Sequence, residues 1–166
     1  MIIAGGVYRE ISSFPERNIL FGSGLKAAAA ISKLVPEIEF HSLISKQEEI
    51  EASAIAITYN IKTSFSYRPS PIEFHYFTPL TTPRIVGLGQ RANLGVRGKK
   101  VLVFGFLECD PDVEADQIVY DPQRPKSPTL DRDKLKCSRL AVVLNRHESR
   151  ELTGESDVKK AGDLIC

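Results

Sequence analysis

The chain carries only three cysteines, no excess charge and no long hydrophobic run, and each shortage excludes a class of protein. Cys109, Cys137 and Cys166 are scattered and odd in number, with no C-x-x-C pair. Neither a disulfide framework nor a zinc site is expected, and the pattern suits the reducing cytoplasm. The formal net charge is +1 at pH 7, which offers nucleic acid or an anionic membrane no electrostatic hold. No stretch approaches transmembrane length. The opening residues 1–10 lack the basic start of a signal peptide, and their apolar run breaks at Arg9. What is present is an ordinary globular composition, 42% hydrophobic and 26% charged, long enough for one core.

The apolar runs alternate with helical stretches. Ile2-Ile3-Ala4-Gly5-Gly6-Val7 reads as a buried strand ending in glycines, followed by a polar loop over residues 12–18. Gly22-Ser23-Gly24 then opens a turn into an alanine-rich helix, whose first N–H groups could receive a hydroxylated or anionic ligand. The G-x-x-x-x-G-K-[ST] spacing of a phosphate loop is absent. A strand over 39–44, containing His41, and a helix over 47–56 follow.

Residues 63–68 and 71–78 are rich in β-branched and aromatic side chains and are split by Pro69-Ser70-Pro71, which predicts a hairpin-like pair of strands. Phe65 and Tyr67, then Phe74 and Tyr76, alternate with polar residues. The resulting apolar face must cover a core, a ligand cleft or a second subunit.

Gly87-Leu88-Gly89-Gln90-Arg91-Ala92 fits a dinucleotide fingerprint by spacing, but Gly95 and Gly98 interrupt the helix that fingerprint must open. It is read as a loop, which sets aside a nucleotide-dependent oxidoreductase. Strong strands are expected over 99–105, 117–123 and 140–144, with a short helix over 131–138. Strands alternating with helices describe an α/β domain with a mostly parallel sheet. The strand ends at Gly105, Asp121 and Asn145 can converge on one edge, where such sheets bind ligands.

Asn145-Arg146-His147-Glu148, with Leu152-Thr153-Gly154 after it, runs from a strand end into a helix. Two readings fit. Asn145 caps the helix and Glu148 closes a capping box, or the amide and carboxylate organise a metal and an anion at the strand edge.

With these pieces in order, the chain resembles the ribokinase-like, PfkB-type carbohydrate kinases. Asn145-x-x-Glu148 with its Leu-Thr-Gly tail resembles the family's N-x-x-E element, Asp121-Pro122 its Asp-Pro strand end, and Gly22-Ser23-Gly24-Leu25-Lys26 its glycine-rich helix start. The resemblance implies a single ribokinase-like α/β domain over residues 1–166, with a β-sheet lid at about 60–80 that often mediates dimers. It implies ATP and magnesium as cofactors, with Asn145 and Glu148 as the metal and phosphate residues and Asp121 nearby. Glu10, Gly22, Gly24, Lys26 and Tyr67 would face a sugar or nucleoside-like substrate.

Two departures stand out. The family's usual Asn at the helix start and Asp after the first strand are replaced here by Lys26-Ala27 and Tyr8-Arg9-Glu10, which leaves the sugar unassigned. Such kinases also continue to a D-T-x-G-A-G-D motif, whose last Asp is the general base. Asp157 to Asp163 imitates it without the Thr and the first Gly, so Asp163 is a weak candidate base. The expectation is therefore the front part of a kinase, inactive alone and without nucleic-acid or membrane partners. The alternative is a non-catalytic module that binds a metabolite or a protein.

Overall fold

The computed structural model describes residues 1–89, 92–123 and 130–165. Gln90 and Arg91 of the glycine motif, and Cys166, lie outside them. Six strands form one wholly parallel sheet: β1 (Ile2–Gly5), β4 (Glu39–Ser45), β5 (Lys62–Arg68), β8 (Gly95–Phe104), β9 (Asp112–Asp121) and β10 (Leu135–Val142). Their spatial order is β10-β9-β8-β1-β4-β5. The chain leaves β1 for β4 and β5 on one side, then returns to lay β8, β9 and β10 on the other. The order reverses between β1 and β8, which makes their carboxyl ends the switch point of the sheet.

Alternation along the strands divides the core. Ile3, Phe40 and Ile44 point to one face, beneath α1 (Gly22–Ile31) and α2 (Glu49–Thr58), where they meet Leu25, Ala28 and Ala52. Ala4, Leu43, Val101, Val103, Ile118 and Tyr120 fill the other face. Alanines let α1 lie close on the sheet. Gly22 takes φ +70 at the first helical position, and a Cβ on Gly24 would stand 2.3 Å from the carbonyl carbon of Gly5, so only glycine admits this crossing. Glu49 and Glu51 in the first turn of α2 suit its positive end.

A second, four-stranded sheet stands over the strand ends: β2 (Arg9–Ser13), β3 (Glu16–Leu20), β6 (Glu73–Tyr76) and β7 (Arg84–Val86), in the order β3-β2-β6-β7. The β2–β3 and β6–β7 pairs are antiparallel, and β2–β6 is parallel. This is the lid, and it corrects three expectations. Residues 12–18 belong to the β2–β3 hairpin rather than to a loop. Residues 63–68 do not pair with 71–78: β5 is the outer strand of the main sheet beside β4, while β6 belongs to the lid. The lid is therefore drawn from residues 9–20 and 73–86, not from about 60–80.

The span 131–138 is not a helix either. A single 3-10 turn at Arg132–Lys134 leads into β10, whose polar residues face outward because it is an edge strand. Two short helices, α3 (Arg146–Thr153) and α4 (Val158–Ile165), pack on each other after β10. No helix among the described residues is long and apolar enough to cross a membrane.

Candidate functional site

At the switch point, beneath the lid, lies a cleft of about 180 Å³ lined by Tyr8, Glu10, Ser23, Phe74, Tyr76, Gly105, Leu107 and Gln123. That is room for roughly six waters at ~30 Å³ each, the size of a small ring compound. Each wall has a clear origin in the chain. Tyr8 and Glu10 follow β1 into the lid, Phe74 and Tyr76 alternate onto the cleft side of β6, and Ser23 sits between the two glycines that start α1. Gly105 and Leu107 follow β8, and Gln123 follows β9.

One wall is aromatic. The Tyr8 and Phe74 rings lie 5.3 Å apart at a tilt, and Phe74 stacks on Tyr76 at 6.3 Å. The polar groups are Ser23, whose Oγ donates to the Gly105 carbonyl at 3.3 Å, and Glu10, which stands beside Phe74 on the lid sheet and is ion-paired with Lys26 of α1. Burial, and then the Glu10 charge, push the Tyr76 phenol up. Burial likewise holds Tyr8 well above its ordinary range, with the neighbouring Glu108 carboxylate adding to the effect.

The second cluster sits at the ends of β9 and β10. Asn145 Oδ1 accepts the Glu148 backbone N–H at 2.9 Å, and Glu148 Oε2 accepts the Asn145 N–H at 2.9 Å, which is a complete capping box on α3. Glu148 is nonetheless buried, and its charge reaches Asp121. The Asp121 carboxyl is pushed up first by burial and second by Glu148. The two carboxylates thus lie close enough at this strand edge for the charge of one to act on the other. Among the described residues no set of three acidic, His or Cys side chains could hold a metal by itself. The pair fits magnesium carried in by a phosphate, since that ion takes one or two carboxylates plus substrate oxygens.

The structure brings Glu10 to the cleft and Lys26 against Glu10. Gly22 and Gly24 shape the start of α1, while the side chain that lines the cleft between them is Ser23. Tyr67 lies on β5 of the main sheet and does not line the cleft; its hydroxyl donates to Glu49 at 2.7 Å and Lys46 stands over its ring. Asp163 is exposed on α4 and does not line the cleft. Tyr8, Ser23, Leu107 and Gln123 are not among the expected site residues, and the Phe74/Tyr76 alternation leaves a core, a cleft and a subunit contact open.

No family model matches the chain. No curated protein matches it. Solved structures do. A pyrophosphate-dependent kinase of the ribokinase family, complexed with a pyrophosphate analog and myo-inositol, superposes with a TM-score of 0.67 at 14% identity, covering 99% of this chain and 68% of its own. The sulfate complex of a pyrophosphate-dependent kinase in that family gives 0.66 at 12% identity, with 99% and 69% covered. The fold is ribokinase-like. A structure describing conversion of a pyrophosphate-dependent myo-inositol-1 kinase into a myo-inositol-3 kinase adds a third neighbour, with a TM-score of 0.63, 13% identity and coverage of 99% and 66%. With 99% of the chain covered, the superposition takes in both the parallel sheet and the smaller mixed sheet. This chain spans about two thirds of the length of these neighbours.

Proposed function

We propose that the cleft beneath the lid binds the hydroxyl-bearing acceptor of a phosphoryl transfer, an uncharged sugar, nucleoside or cyclic polyol. The observation that carries this reading is the cleft itself. It lies at the switch point of a ribokinase-like sheet, lined by aromatic rings together with a carboxylate, a hydroxyl and an amide. Rings offer a surface to the C–H face of a polyol, and the polar groups offer hydrogen bonds to its hydroxyls. Glu10 is the only charged residue lining the cleft among the described residues, and the Lys26 ammonium beside it is taken up in their ion pair, so an anionic acceptor would find no unpaired cation there. The neighbours' myo-inositol makes that polyol a natural first probe.

Asp121 and Glu148, with Asn145 fixing the turn, would hold the magnesium of the incoming donor. A phosphate-bound cation supplies charge neutralisation during transfer. ATP is the donor the sequence resemblance implies, and pyrophosphate is the one the neighbours use. Both belong in the assay. No general base is proposed among the described residues, and the reading for this chain is acceptor binding, in the reducing cytoplasm that its cysteines suit. A second copy meeting it through the outer side of the lid belongs to the same reading.

The test is a calorimetric titration of the chain with myo-inositol, free monosaccharides and nucleosides, repeated for Glu10→Gln. Binding of one uncharged class is expected. Loss of the Glu10 charge should weaken it by about 10- to 100-fold, the worth of a charge-assisted hydrogen bond. Equal affinity in the variant would remove Glu10 from the site. Binding by none of the three classes would remove the acceptor reading.

A further inference from the structure

Two chain crossings carry the backbone from the main sheet into the lid: residues 6–8 between β1 and β2, and residues 69–72 between β5 and β6. One buried side chain ties them together. Arg68, the last residue of β5, donates from Nη2 to the Val7 carbonyl at 3.1 Å and to Glu48 Oε2 at 2.8 Å. Its Nη1 donates to the Leu43 carbonyl and its Nε to the Ser70 carbonyl at 3.0 Å. Glu48 is held in turn by the Ser45 N–H at 2.8 Å.

The same guanidinium stands 3.6 Å from Glu108 Oε1, which makes no hydrogen bond of its own. The other Glu108 oxygen accepts the Tyr8 hydroxyl at 2.6 Å and the Leu107 N–H at 3.1 Å, and the Tyr8 oxygen also receives the Leu107 N–H at 2.9 Å. The Tyr8 proton is thereby committed, so this residue shows the cleft its ring and not a free donor.

An arginine, two glutamates and a tyrosine, all buried, are a poor way to gain stability, because apolar residues of the same volume would cost less desolvation. What the network offers is position. The planar fork of arginine takes carbonyls from three separate segments at once, which a lysine could not. We propose that Arg68 and Glu108 are positioning residues for the cleft. They fix Tyr8, and through its ring contact with Phe74 they set strands β2 and β6 over the ends of β1 and β8. The proposal uses the acceptor reading only for its consequence, since the lid's attachment can be measured with no ligand present.

Backbone hydrogen exchange on the full chain tests it, comparing amides of β2 and β6 with those of β4 and β8. Glu108→Ala and Tyr8→Phe should speed exchange in the lid by about tenfold or more while the central strands stay within about twofold of the parent. Glu108→Gln should keep most of the protection that Glu108→Ala loses, because its amide oxygen can still accept from Tyr8 and Leu107, and the remainder lost measures the charge contact with Arg68 that an amide cannot make. Lid and central strands speeding up together, or a lid unchanged in both variants, would overturn the assignment. If Glu108→Ala fails to fold, Tyr8→Phe, which removes one oxygen and keeps the ring, decides alone. Failure of every acceptor to bind would leave this exchange pattern standing, so the two readings fail separately.

Discussion

A carboxyl buried between a tyrosine and an arginine titrates by the balance of its surroundings. Burial pushes Glu108 up by more than the Tyr8 hydrogen bond and the Arg68 charge draw it down. The groups facing it are Tyr8 and Arg68, with Glu48 on the far side of the guanidinium. The folded chain therefore holds this proton more tightly than the unfolded chain. Its contribution to stability is full below the ordinary carboxylate range and is lost as pH rises through the elevated folded value. Glu108→Gln has no proton to lose, so stability should shift in the variant's favour as pH is raised from about 4 to about 7. Urea midpoints at several pH values measure this; parallel curves would mean that Glu108 titrates as an ordinary carboxyl. Neither Glu108 nor Arg68 was legible in the sequence, because the network's partners lie up to 100 residues apart. Asn145 and Glu148 were legible because a capping box is local, and the structure shows that cap complete while the Glu148 charge also raises the Asp121 carboxyl.

At the scale of elements, what could be read were the buried ones. β1, the end of β8 and the start of α1 stand out because a strand covered on both faces is continuously apolar, and a helix crossing it closely needs glycine and alanine. The outer elements misled for the converse reason. β5 and β10 each have an exposed side, so Thr63-Ser64 and Lys136 to Arg139 interrupt the apolar pattern, and the period no longer marks the sheet. Pro69-Ser70-Pro71 is short enough for a hairpin turn, yet it carries the chain from one sheet to the other, because the buried Arg68 bonds hold it there. The close crossing of α1 gives the sharpest test at this scale. Gly24→Ala would press a methyl into Gly5 backbone on a buried, rigid strand, so the helix must lift from β1. A loss of about 1–3 kcal/mol is expected, the range for overpacking, read from the shift in urea midpoint. A shift below about 0.5 kcal/mol would mean the crossing is looser than the geometry indicates.

Across the whole molecule, helix cover is uneven, and that decides where it can meet another copy of itself. Phe40, Ile3, Leu102, Val119 and Ala141 form one row across five paired strands on the face of α1 and α2. Phe40 and Ile3 are fully buried, whereas Val119 is 38% exposed and Val143, just beyond β10, is 50% exposed. The lid has its own apolar tip, where Phe77 is 71% and Leu80 98% exposed, with the Phe77 carbonyl bonded to the Phe14 N–H. Exposed apolar surface and an unpaired strand edge both invite association, but they predict different assemblies. Pairing through the lid would be a closed two-fold contact between like surfaces, saturating at a dimer. Contact along β10 would add copies without that limit. Sedimentation velocity on Phe77→Lys and Val143→Lys separates them, since each adds a charge at an exposed position and should alter stability by no more than about 0.5 kcal/mol. The lid reading expects a dimer that Phe77→Lys abolishes and Val143→Lys leaves intact. A parent chain that stays monomeric, or one whose association only Val143→Lys suppresses, would take the dimer away from the lid and leave that sheet the single task of roofing the cleft.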